Sequence, residues 1–167
     1  MSGLEKPTKV GWRSQPTLAH WGRMPDVSPR ACSIAAALTV LGEKWSLLVV
    51  RELALNVHRF DQIARNTGAP RDVLTSRLRR LEAEGILEKR CYQEHPPRYE
   101  YHLTEAGGEL RPILLALAQW GERWTGQSGA HWIHSCGHEL ELEHTCAACG
   151  GEVTGRDLRV KRTASAA

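Results

Sequence analysis

The chain has 167 residues, a net charge of +3, a hydrophobic fraction of 41% and a charged fraction of 25%. That is enough for one domain with attachments, and the balance is that of a globular protein. No apolar run approaches the roughly 20 residues of a membrane helix, and residues 1–30 lack the apolar centre of a secretion signal. A cytoplasmic protein is expected, where clustered cysteines suggest metal or redox chemistry rather than structural disulfides.

Residues 1–30 carry Pro7, Pro16, Pro25 and Pro29, and Lys6, Lys9, Arg13, Arg23 and Arg30 outnumber Glu5 and Asp26. They read either as a flexible arm, its first residues a purification scar, or as an arm in which Trp12 and Trp21, uncommon in disordered sequence, dock on the body or a partner subunit. The body spans 31–126. "SIAAALTVLG" reads as a helix ending at Gly42, a natural residue for the position after a helix. "EKWSLLVVRELAL" places Trp45, Leu48, Val49 and Leu53 near one face of a second helix. "FDQIARNTG" is a short third helix stopped by Gly68, and "RDVLTSRLRRLEAEG" a fourth with Leu74, Leu78 and Leu81 as its apolar stripe, ended by Gly85.

The period then changes from helical to alternating. "ILEKRCYQE" and "RYEYHLT" read as two strands around the loop "HPP", with Cys91 in the core. Thr104 is a plausible N-cap for a last helix, "EAGGELRPILLALAQWGERW", which Gly107–Gly108 weaken and Pro112 kinks or truly starts. The fold expected is mainly α with a β-hairpin wing (α+β): a winged helix-turn-helix. In that arrangement the fourth helix enters the DNA major groove and the wing touches adjacent backbone.

With the leucines inward, Arg71, Asp72, Thr75, Ser76 and Arg79 fall on the opposite face of the fourth helix. Arg can bond guanine bidentately, and Ser and Thr serve bases or phosphates. Charged residues opposite a leucine stripe also occur on ordinary solvated helices. The hairpin downstream, with Arg98 beside its tip and Lys89 and Arg90 in its first strand, favours DNA. Arg77 and Arg80 could instead pair with the scaffold, and Glu82, Glu84 and Glu88 lower the local potential.

Four stretches, "CSIAAALTVLGEKWSLLVVREL", "RFDQIARNTGAPRDVLTSRLRRLEAEGILEKR", "PPRYEYHLTEAG" and "ILLALAQWGERW", together resemble the HxlR family of bacterial regulators in the MarR-like winged-helix group. The resemblance covers Cys32 to Trp124 and departs at Ser33, where the family usually has proline. It implies a homodimeric, sequence-specific repressor or activator on double-stranded DNA with a near-palindromic operator. The first and last helices would form the dimer interface, with Ile34, Leu38, Leu114, Leu117, Trp120 and Trp124 contributing unless they are intrachain core. A small-molecule effector or a redox signal would release the operator. Some relatives sense oxidants through a cysteine before the first helix, a position matched by Cys32; the alternative is a packing residue. A helix N-terminus with Arg30 nearby would favour its thiolate.

A separate segment, 131–155, holds "HSCGHELELEHTCAACGG". Cys146-x-x-Cys149-Gly150 has the shape of a zinc knuckle, and Cys136-Gly137-His138 resembles a shortened first half. Cys136, His138, Cys146 and Cys149 would make a tetrahedral, structural zinc site, with His134 and His144 as alternative ligands and "ELELEH" as a strand between the halves. A small zinc-ribbon-like segment is therefore expected; a redox CxxC pair and a disordered tail are the alternatives. Residues 156–167 read as a basic flexible tail. No nucleophile–base constellation or phosphate loop points to an enzyme. The competing function is a winged-helix protein-interaction module, or one that senses metal or redox state.

Overall fold

The structure, a computed structural model, describes residues 32–127, 129, 131–154, 156, 158 and 159. The expected arm over 1–30, with Trp12 and Trp21, and the expected tail apart from Arg156, Leu158 and Arg159 lie outside the described residues. Among the described residues, six helices and one hairpin follow in order: α1 (Ser33–Leu41), α2 (Lys44–Ala54), α3 (Phe60–Thr67), α4 (Arg71–Ala83), β1 (Leu87–Gln93), β2 (Arg98–Leu103), α5 (Glu105–Gly108) and α6 (Arg111–Thr125). Among the described residues no single helix is long and apolar enough to cross a membrane.

The core is built where α2, α3 and α4 meet the base of the hairpin. Val49, Val50 and Leu53 of α2, Ile63 of α3, and Leu74, Leu78 and Leu81 of α4 are buried together with Ile86 and Leu87. Each such side chain contributes about 1.5–3 kcal/mol when fully buried. The leucine stripe of α4 therefore fixes which of its sides is left for a ligand. Gly68 lets the chain leave α3 with φ of 70°, a left-handed conformation that costs glycine nothing, and Pro70 then opens α4.

Glu52, 3% exposed, is the one buried charged residue among the described residues. Arg51 Nη2 lies 2.6 Å from its Oε1, and Asn66 Nδ2 donates to its Oε2 at 2.7 Å. The carboxylate thereby ties α2 to the last turn of α3.

The hairpin pairs antiparallel from Leu87↔Leu103 to Cys91↔Tyr99, with a register shift before Gln93↔Arg98. Its base is anchored by the bridge Arg59↔Glu100 and by Tyr101 N donating to His58 O at 3.0 Å. Only Leu87 of β1 is buried. Cys91 is accordingly exposed rather than in the core, because the hairpin has left the helices by that point and, among the described residues, no further strand covers it.

Two helix ends differ from expectation, while Pro112 marks the true start of the long helix, one of the two readings the sequence offered. Gly42 is right-handed, with φ of −67°, not left-handed; its constraint is space, since a Cβ there would overlap the Leu38 carbonyl oxygen. Thr104 caps the separate short α5, accepting from Gly107 N at 3.2 Å. The long helix starts later, with Pro112 in its first turn, where the missing N–H costs nothing. Gly107 itself faces the Ile86 carbonyl, which a Cβ would overlap.

Candidate nucleic-acid interface

The outward side of α4 carries the residues expected there. Arg71, Asp72, Ser76 and Arg79 are exposed, and Thr75 is half-buried with its Oγ1 donating to Arg71 O at 2.7 Å. That bond uses the threonine hydroxyl proton within the helix and leaves its lone pairs and methyl outward. Among the described residues no side chain caps the N-terminus of α4, so its first amide N–H groups remain available to a phosphate. Arg98 is exposed where β2 begins.

Arg77 and Arg80 turn to the scaffold. Arg77 Nη2 lies 3.6 Å from Glu43 Oε1, and Arg80 Nη2 donates to Thr39 O. Two of the four arginines of α4 thus hold the helix against the α1–α2 region, while Arg71 and Arg79 stay free of that task.

Several neighbours that the sequence does not single out complete this surface. Asp61, on the first turn of α3, accepts from Arg71 Nη1 at 2.8 Å, and the Arg71 guanidinium sits 4.8 Å over the Phe60 ring. Arg59 and Lys89 likewise lie over Tyr92 and Tyr99, at 5.1 and 3.8 Å. A groove of about 490 Å³ runs between α3 and the wing, lined by Arg59, Arg65, Tyr92, Arg98 and Tyr99 together with Asp61. Cation and aromatic face together suit a sugar–phosphate backbone. The sequence signal was present in "RYEY", where alternation turns Tyr99 and Tyr101 to one side. Arg59 reaches the wing only through the fold, by its bridge to Glu100.

Charge on the wing is partly internal. Arg90 pairs with Glu88, and Arg59 Nε lies 3.3 Å from Glu100 Oε1. At the wing base the rings of His58 and His102 stack with centroids 4.2 Å apart. Burial, then His58, holds the His102 imidazole below its ordinary value of 6.5.

Cys32 stands exposed at the N-cap of α1. In the C-terminal segment, the expected ligands do not gather into one cluster. His134 Nδ1 lies 3.1 Å from Cys136 Sγ, and amides of Cys149 and Ala148 hold the Cys146 thiol below its ordinary value. His138 meets the first turn through its carbonyl, which accepts from His134 N at 2.9 Å. Among the described residues no three His, Cys, Asp or Glu side chains come close enough to hold a metal. "ELELEH" is not a strand; only the isolated bridges Ile133↔Glu139 and Thr145↔Glu152 form. The cause is local. Leu140 and Leu142 turn toward α6, bordering a small cleft with Leu115 and Ala118, so the stretch between the turns lies along the helix.

A helix-turn-helix with an adjoining hairpin and an exposed, partly basic α4 face defines a winged helix-turn-helix regulator. Residues 40–129 match the HxlR-like helix-turn-helix family, and the chain belongs to it. The uncharacterized HTH-type transcriptional regulator Rv3095 of Mycobacterium tuberculosis is 40% identical over 130 residues, 75% of this chain and 82% of the relative. A second HTH-type regulator, sll1512 of Synechocystis, is 41% identical over 58% of this chain and 72% of its own. The crystal structure of PA1607, assigned as a transcription factor, superposes with a TM-score of 0.71 at 29% identity, covering 81% of this chain and 97% of that one. The redox regulator HypR in its reduced form matches with a TM-score of 0.51 at 35% identity, covering 55% and 92%. These relatives are transcriptional regulators and not enzymes.

Proposed function

We propose that the protein is a homodimeric repressor that binds a near-palindromic operator in the cytoplasm and is released by a small-molecule or redox signal. The observation that carries DNA binding is the juxtaposition of exposed Arg71, Ser76 and Arg79 on an uncapped α4 with Arg98 on the wing. Arg71 and Ser76 meet base edges, with Arg79 and Arg98 on phosphates. Support for the dimer comes from the apolar residues that α1 and α6 leave open. Ile34, Leu38, Ile113, Leu117, Trp120 and Trp124 are all exposed, Trp124 at 70%. Leu114 is instead half-buried against the core. A patch of this kind on a soluble regulator marks an interface. Two recognition helices related by a twofold axis would meet major grooves one turn, about 34–36 Å, apart.

Footprinting on the DNA upstream of the protein's own gene, with sedimentation of the protein alone, tests this. A protected two-half-site operator and a dimer mass are expected; a monomer with no footprint would favour the interaction module. Cys32, exposed at the start of the dimer helix, is the redox candidate. Cys32→Ser should then leave operator binding insensitive to peroxide. Zinc remains a proposal for Cys136, His138, Cys146 and Cys149. What supports it is the pair of turns with left-handed Gly137 and Gly150, φ 88° and 72°, each beside a cysteine. Closing a four-ligand site would require the two turns to approach one another. Metal analysis after chelator-free purification should find about one zinc per chain; an empty protein ends this reading.

A further inference from the structure

Between α2, α6 and the C-terminal segment lies a cavity of about 540 Å³, within the 300–1,000 Å³ typical of small-molecule sites. Its walls are Leu48 of α2 and Leu114, Leu115 and Ala118 of α6, and Trp132 and Leu140 close it from the C-terminal segment. None of the fifteen residues of α6 is fully buried, so the segment covers this face without filling it. The charged residues in the lining are Arg51 and Arg111, and the lining contains no carboxylate. Arg111 makes no ion pair among the described residues, whereas Arg51 shares the buried Glu52.

We infer that this cavity is a binding site for a small apolar molecule with one anionic end, such as an aromatic or aliphatic carboxylate. The apolar body lies between the leucines of the two helices, and the anionic end meets Arg111 and the outer side of Arg51. An apolar body enters because burying it is favourable, and a carboxylate is recognised because a guanidinium offers a forked pair of donors. The site reaches the DNA-binding face through α2. Arg51 balances Glu52, and Glu52 holds Asn66 at the end of α3. An anion drawing on Arg51 weakens its hold on Glu52 and shifts the α2–α3 contact. This last step rests on the DNA-regulator reading; the binding itself does not.

The test uses the full chain and calorimetry with 2-naphthoate, decanoate and the neutral 2-naphthylmethanol. Saturable binding of one carboxylate per chain is expected, with the alcohol at least about tenfold weaker, the loss of one charge-assisted contact. Whether naphthoate or decanoate binds better tells an aromatic from an aliphatic source. Arg111→Gln should cost about the same factor. Ala118→Trp should abolish binding, and Leu48→Trp does the same from the opposite wall should the first variant not fold. No binding of either carboxylate, or binding untouched by both tryptophan variants and by Arg111→Gln, overturns the site. Operator affinity measured without carboxylate separates the two proposals. Intact DNA binding with an unoccupied cavity defeats only this inference, and carboxylate binding without any operator defeats only the regulator reading.

Discussion

The ion pair between Asp61 and Arg71 predicts a variant that binds DNA better than the natural chain. Arg71 is an exposed candidate for base contact, yet its guanidinium is held at 2.8 Å by Asp61, with side chains 71% and 66% exposed. An exposed pair of this kind is worth about 0.2–1 kcal/mol, which DNA must displace before Arg71 reaches a base. The carboxylate also faces incoming phosphates, and one like-charge repulsion in water at about 8 Å adds roughly 0.5 kcal/mol. Asp61→Asn removes both costs and keeps the shape. Phe60, 4.8 Å beneath the guanidinium, still orients it. The gain sums to about 1 kcal/mol, or roughly fivefold in affinity. Fluorescence anisotropy on the footprinted operator and on scrambled duplex, at about 50 mM and about 200 mM salt, reads it, and the gain should shrink as salt screens the repulsion. A gain confined to the operator places Arg71 on a base; an equal gain on both sequences places it on phosphate. Unchanged affinity would mean that Arg71 does not face DNA, and a tenfold loss would mean that Asp61 sets its working geometry. Either result refutes the reasoning.

Arg98→Ala should weaken operator and scrambled DNA by a similar factor and reduce the salt slope by about 1, as titration across salt concentrations would show. Glu52→Ala strands the Asn66 amide and uncouples α2 from α3. Urea unfolding should show a loss of about 2 kcal/mol, less than the 3–5 of a fully buried pair because Arg51 keeps part of its hydration. Gly107→Ala forces a methyl into the Ile86 carbonyl, and the urea midpoint should fall by the equivalent of about 1–3 kcal/mol. His102 is held below its ordinary 6.5 by burial first and His58 second. Its neutral form favours the fold, so this contribution is complete above about pH 6.5 and is lost as pH falls toward the lowered value. Unfolding at pH 7.5 and 5.5 should therefore show a smaller drop for His102→Gln than for the natural chain; an identical drop would discount the stacked pair.

The helix-turn-helix was legible because its signals are local. Leu74, Leu78 and Leu81 set the buried side of α4, and Gly68 and Gly85 end α3 and α4 as their chemistry suggests. What was not legible depends on neighbours. Cys91 alternates like a core residue, but a two-stranded hairpin has nothing to bury it against once it leaves Leu87. "ELELEH" alternates like a strand, but α6 rather than another strand lies beside it. Thr104 is a true N-cap whose helix lasts only to Gly108, since the glycines and Pro112 divide what looked like one element. In the interface, spacing gave the outward residues of α4, whereas Asp61 and Tyr99 join them only through tertiary packing.

The wing has a second consequence. The outer edge of β1, and that of β2 beyond its bridge to Arg59, present unpaired backbone that another chain could extend into a larger sheet. Glu88, Lys89 and Arg90 in succession on β1, and Pro96–Pro97 at the tip, are what discourages such pairing. These wing charges therefore also keep one molecule's hairpin from annealing to the next. Stripping them in search of altered DNA specificity would trade solubility for it, and aggregation would be the first sign.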